Sequence, residues 1–281
     1  MTQAERIILT TRKKRKRQMI FKGISAVYMT LITALLIYIL VQLDFSLLTN
    51  GANTNQAPTP TPAPEMNGSD ESTIEIDKNG KFVALTYDDG PSSYTSYLLD
   101  ALEEHNAKAT FFIVGNRAGQ HRDTIKRMDY LNMEIASHTY GHDALLELDA
   151  AQIKETMDKA DEAFTGIIGH GATLMRPVGG NINDIIKSTV KKPIIHWSID
   201  TLDWQSKDIQ LIVDHVLANV QDGCIILMHD IYPTTIEASK ILIPKLQEMG
   251  YQLVTVSELA DAREVELVPG EKYSSFPKIE N

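Results

Sequence analysis

From about Thr73 onward, apolar residues fall in two alternating arrangements. Short apolar runs suited to buried strands occur at 82–86, 110–114, 134–137, 173–176, 194–198, 224–228 and 252–256. Between them, stretches with apolar residues every three or four positions predict helices over 94–105, 122–131, 151–166, 182–190, 208–220 and 235–249. Strands separated by helices of this length form βαβ units. Seven such units predict an α/β fold, an irregular (β/α)7-type barrel, over residues 73–263. Gly223 and Gly250, each just before a strand, read as helix C-terminal stops. Residues 264–281 read as a polar, loosely ordered tail.

The pattern before Thr73 is different. Residues 23–43 run without a charge, and at about 1.5 Å per helical residue they would span a hydrocarbon core of roughly 30 Å. That is longer than the apolar core of a cleaved signal peptide, and no A-x-A site follows. Residues 1–22 carry +7 of a net −10, which leaves −17 for the rest. Basic residues stay on the cytoplasmic side, so the reading is a single transmembrane anchor with everything after Leu43 outside the cell membrane. Residues 44–72, rich in Pro, Thr and Asn, form an extracellular spacer with too little apolar surface to fold. An outer part this acidic excludes nucleic acid as a partner. Nothing in the chain calls for an obligate protein partner, and the apolar span has no GxxxG pair. Cys224, the one cysteine, has no internal disulfide mate and reads as a small buried core residue.

The unusual residues cluster at predicted strand ends. Asp88 and Asp89 follow the first strand and His138 the third. Arg176 ends the fourth, Asp200, Asp203 and Trp204 follow the fifth, and His229 follows the sixth. In parallel α/β folds these ends gather on one face and build the active site. Two adjacent carboxylates repel unless a cation sits beside them. In extended backbone they point opposite ways, so one could bind metal while the other faces water. TYDDGP (86–91) is equally good turn chemistry when taken alone. His138 and His142, four apart, would share one side of a helical turn, and two His with one carboxylate is a catalytic metal set. His105, His121, His170, His196 and His215 read as surface or core residues.

These segments resemble the polysaccharide deacetylase family, carbohydrate esterase family 4, across roughly residues 81–259. Five motifs follow in order: TYDDGP, SHTYGH (137–142), MRPVGG (175–180), DTLDW (200–204) and ILMHD (226–230). The resemblance implies Asp88 as catalytic base and Asp89, His138 and His142 as metal ligands. It implies Arg176 as the residue that holds Asp88, and Trp204 and Leu227 as the acetyl pocket. His229 becomes the catalytic acid, tuned by Asp203. Many members have Arg-Pro-Pro-Tyr-Gly where this chain has Arg-Pro-Val-Gly-Gly. The oxyanion-binding N–H would therefore be that of Gly179, and the groove wall there would change shape.

The implied reaction is metal-dependent removal of N-acetyl groups from a cell-wall polysaccharide, with N-acetylglucosamine of peptidoglycan favoured by the anchor. Zinc is the expected cofactor, and cobalt or nickel would accept the same ligands. Chitin-like oligosaccharides, poly-N-acetylglucosamine and acetylxylan are alternative polymers. A catalytically silent glycan-binding domain is the alternative from another class, and the complete residue set argues against it. An outer domain that only recruits partners would need a large exposed apolar surface.

Overall fold

The computed structural model of the protein describes residues 77–278. The predicted basic segment, anchor and spacer lie outside these residues. Among the described residues no helix is long and apolar enough to cross a membrane.

The elements run β1 (Lys81–Asp88), α1 (Thr95–Glu104), β2 (Thr110–Ile113), α2 (Arg122–Tyr130), β3 (Glu134–Ser137), α3 (Ala150–Ile168) and α4 (Asp184–Thr189). They continue with β4 (Ile194–Ile195), β5 (Ile199–Asp200), α5 (Asp203–Ser206), α6 (Ile209–Asn219) and β6 (Cys224–His229). The last are α7 (Pro233–Glu248), β7 (Tyr251–Leu253), α8 (Val256–Ala262) and β8 (Lys272–Tyr273). The main sheet has the order β3-β2-β1-β6-β5, with β7 beside the start of β1, and every strand pair is parallel. Helix starts follow local chemistry. Asp149 and Gln152 close a capping box on α3, Thr255 and Glu258 close another on α8, and Asn183 and Asp208 cap α4 and α6.

Two predicted strands are altered. The run 173–176 contributes only Met175, which bridges Ser137 on one side and Ile194 on the other. The run 194–198 is broken. Its first residues form β4, which pairs with β8, and the chain rejoins the main sheet only at β5, beside β6.

β1 sets the layers because it is buried along all but its first residue. Val83, Leu85 and Tyr87 pack in the large cluster that includes Leu98, Leu102, Val216 and Leu242 from the surrounding helices. Phe82 and Ala84 pack in a second cluster with Phe112, Ala136, Leu174, Ile195 and Ile225. With a period of two, this inner face continues to Thr86 and Asp88. On β6 the same face carries Ile225, Leu227 and His229, and the register places Asp88 opposite His229. The pattern that buries the core thus delivers polar residues to its upper end.

The tail is not loose. After Arg263 the chain turns back, β8 pairs with β4, and Ser275 bridges Cys224. Phe276 is buried in the inner cluster, and its N–H donates to the Gly223 carbonyl at 2.8 Å. The folded domain therefore extends past residue 263. The tail looks polar because one buried aromatic anchors it. Gly223 has a role other than the expected one: α6 ends before it, and a Cβ there would lie 2.1 Å from the Phe276 carbonyl oxygen. Gly250 does follow α7 as a left-handed stop, with φ +84. Cys224 is buried, as expected.

Phe276→Ala should destabilise the domain by about 3–5 kcal/mol, since it removes a buried aromatic. Urea unfolding of the two proteins measures this, and an unchanged midpoint would mean the tail contributes nothing.

Candidate active site

Arg176 organises the upper end of the inner face. It is fully buried, which opposes its charge, while the Coulomb attraction of Asp88 supports it. Its Nη1 donates to Asp88 Oδ1 at 2.7 Å and to Thr86 Oγ1 at 2.8 Å. Nε and Nη2 donate to the main-chain carbonyls of Ile195 and His196 at 3.1 and 2.9 Å. The guanidinium also lies over the Phe112 ring, 3.9 Å from its centre. Asp88 is thereby fixed as a buried, charge-paired carboxylate. Removing one partner of such a pair typically costs about 3–5 kcal/mol.

Asp89 breaks the strand. Its φ of +71° ends the extended backbone, so the two carboxylates do not point to opposite faces as alternation would have it. Both line one cleft of about 430 Å³. His138 and His142 do not sit on a helical turn either. They occupy a loop in which Thr139 and His142 both have positive φ, 66° and 63°. Side chains converge all the same: His138 Nε2 is 3.4 Å and His142 Nε2 3.0 Å from Asp89 Oδ1.

Three features of this trio fit a bound cation. One donor atom from each of Asp89, His138 and His142 lies within 4.8 Å of the others. Asp89 Oδ1 is buried and, by strict geometry among the described residues, has no hydrogen-bond partner. His138 Nδ1 is 2.8 Å from the Arg176 carbonyl, so it carries the proton, and the Nε2 lone pair faces Asp89. Burial holds His138 below the usual histidine range, that is, neutral. Burial alone would raise Asp89, but His142 and His138 hold it below the usual carboxylate range. His142 is raised, chiefly by Asp89. Lone pairs aimed at one point repel, and a divalent cation at that point relieves them.

Across the cleft, His229 Nδ1 lies 2.8 Å from Asp203 Oδ1. Asp203 is fully buried, and its Oδ2 accepts from His229 N–H at 2.8 Å and Thr235 Oγ1 at 2.7 Å. Burial would lower the His229 pKa, but the hydrogen bond and charge of Asp203, with Asp88 and Asp89 beyond, raise it to about 9. Its ring therefore holds a proton at neutral pH and presents Nε2 to the cleft. Leu227 and Trp204 line the cleft, Leu227 buried and Trp204 half exposed. Gly179 lines it as well, with φ +67, and a Cβ there would meet only Asn181 Nδ2, at 3.3 Å.

Every residue singled out in the sequence lies in this cleft or in direct contact with a residue that does. Several others there were not singled out. Thr86 shares the Arg176 guanidinium, and its signal was available as the inward position two before Asp88. Trp197 and Tyr232 line the cleft without a local motif that marks them. Asp230 is fully buried, accepts from Thr95 Oγ1 at 2.5 Å, and is pushed up to about 7 by burial. Its carboxylate presses on Gly90, where a Cβ would come within 2.2 Å of it, and its main-chain oxygen accepts from Ser92 Oγ. It therefore clamps the loop that begins at Asp89.

A family model described as polysaccharide deacetylase matches residues 75–193. The chain is 37% identical over 189 residues to the peptidoglycan-N-acetylmuramic acid deacetylase PdaC of Bacillus subtilis, covering 67% of this chain and 40% of that one. It is 34% identical over 203 residues to a peptidoglycan-N-acetylglucosamine deacetylase of Bacillus cereus, covering 66% and 92%. A solved structure of the T48 deacetylase with substrate aligns with a TM-score of 0.69 at 36% identity, covering 71% of this chain and all of that one. The chain spans about two fifths of the length of the first curated relatives it matches.

Zinc at a hundred times its Kd should stabilise the folded protein by about 2.7 kcal/mol. That gain should appear as a rise of several degrees in Tm, and His142→Ala should abolish it. An equal rise in the variant would place the ion elsewhere.

Proposed function

The chain belongs to the polysaccharide deacetylase family, and on that footing we propose that its domain is a metal-dependent N-deacetylase of peptidoglycan, with N-acetylglucosamine as the sugar. The observation that carries the reading is the convergence of three elements on one cleft. They are an Arg-held carboxylate, a three-donor cation site and an Asp-paired histidine. We read the parallel sheet, with Met175 and β4 completing its circuit, as the irregular seven-unit barrel expected of the family.

Amide hydrolysis needs a base for the attacking water, support for the oxyanion and a proton for the leaving nitrogen. Bound by Asp89, His138 and His142, a divalent cation such as zinc, cobalt or nickel would polarise the carbonyl and lower the pKa of the attacking water. Asp88 takes the proton from that water, and its pairing to Arg176 keeps the receiving oxygen in place. The Gly179 N–H supports the oxyanion. Leu227 and Trp204 enclose the acetyl methyl, which orients the carbonyl towards the polar groups. His229 then gives its proton to the departing amine, and Asp203 fixes the ring and stabilises its charged form.

Location narrows the polymer. An anchor at 23–43 and a spacer at 44–72 would hold the domain outside a single-pass membrane, within reach of the cell wall. Both curated relatives named above act on peptidoglycan by their descriptions.

The full chain should release acetate from purified peptidoglycan, lose that activity to a chelator and regain it with zinc. Silence on peptidoglycan and on acetylated chito-oligosaccharides alike would refute the deacetylase reading. Asp88→Asn should still bind zinc but turn over about 10²–10⁴ times more slowly, as expected for loss of a general base. A near-normal rate would remove Asp88 from that role. Because His229 must enter protonated, the rate should fall as pH rises through its pKa. Asp203→Asn removes the group that raises this pKa, so the alkaline limb of the profile should move to lower pH. An unmoved limb would assign it to another group.

A further inference from the structure

The deacetylase reading leaves unexplained a cation that sits against a side chain lining the cleft. α5 is a four-residue turn bracketed by two left-handed residues, Leu202 with φ 54 and Lys207 with φ 47. Left-handed helix ends favour Gly or Asn because other side chains are strained there. Lysine occupies the position nonetheless. Its ammonium lies 5.0 Å from the centre of the Tyr232 ring. Tyr232 lines the cleft, and its ring centre is 6.1 Å from that of His229. Among the described residues no carboxylate lies within 4.0 Å of the Lys207 ammonium.

The surroundings make this charge conspicuous. The cleft holds Asp88, Asp89 and Asp200, and the chain beyond residue 22 carries −17. A polymer bearing carboxylates is repelled by such a surface unless a local cation receives it. Lys207 is free to do so: it is exposed, propped on an aromatic face and not spent on an acid of its own.

We propose that Lys207, held over Tyr232, is a specificity-determining residue that binds a carboxylate carried within one sugar of the scissile acetamide. This rests on the deacetylase reading and refines its substrate. Two sources supply that chemistry in peptidoglycan: the lactyl carboxylate of a muramic acid residue freed of peptide, and the carboxylates of the stem peptide.

Lys207→Gln keeps the polar stem and removes the charge. The full chain and this variant are compared on three substrates: neutral N-acetylated chito-oligosaccharide, glycan strands stripped of peptide, and intact peptidoglycan. We expect kcat/KM on a carboxylate-bearing substrate to fall about tenfold, the weight of one charge-assisted contact, mainly through KM. Activity on the neutral oligosaccharide should be unchanged. A fall on stripped strands assigns the lactyl carboxylate, and a fall confined to intact peptidoglycan assigns the stem peptide. The wild-type preference for the anionic substrate should weaken with added salt, and that salt effect should vanish in the variant. Equal loss on neutral and anionic substrates, or no loss on either, overturns the proposal. Calorimetric binding of stripped and of peptide-bearing glycan fragments to the two proteins measures the same contact without turnover. Lys207 can therefore be judged even if acetate release fails.

Discussion

The site depends on one buried ion pair. Arg176 is fully buried and Asp88 nearly so at the floor of the cleft, and each would be costly there without the other. Together they fix the carboxylate that follows Phe82, Ala84 and Thr86 on the inner face of β1, at the level of His229 on β6. The same guanidinium is a packing element that covers Phe112. A side chain that touches core, sheet and cleft carboxylate at once cannot be changed for one purpose alone. Lysine would keep the charge but lose the planar fork that reaches Asp88, Thr86 and two carbonyls simultaneously.

The electrostatics divide the cleft into two halves. On one side buried or half-buried donors are held as bases: His138 neutral through burial, Asp89 ionised by the imidazoles that face it. On the other side Asp203 holds His229 as an acid. Groups whose environments push their pKa values apart are what a reaction with a base step and an acid step requires. Asp230, beneath the loop that follows Asp89, is a third kind of carboxylate. It is packed rather than presented, and its contact with Gly90 shows why that position has no side chain.

Much of this was legible in the sequence, because period-two burial and strand-end placement are local properties. The inner face of β1 could be counted from Phe82 to Asp88, and five motifs at strand ends named the side chains that meet. What could not be read depends on backbone that departs from regular forms. Asp89, His138 and His142 converge through positive φ at Asp89, Thr139 and His142, a geometry that reasoning from extended strands and helical turns does not give. Tyr232 and Lys207 meet across two loops with no motif between them. The tail failed for a simpler reason: hydropathy averaged over residues 264–281 hides the single buried Phe276 and the two-residue pairing of β8 with β4.

The broken strand at residues 194–200 has a further consequence. In a regular strand the carbonyls of Ile195 and His196 would be committed to neighbouring strands. Because the ladder ends at Ile195, both are left to receive Arg176. The irregularity of the sheet is thus a supply of acceptors, and the scaffold is shaped by a demand that lies outside its own hydrogen bonding. A designer who smoothed this sheet into an ideal closed barrel would gain ladder bonds and strand a guanidinium. The more perfect fold would be the poorer host for this chemistry.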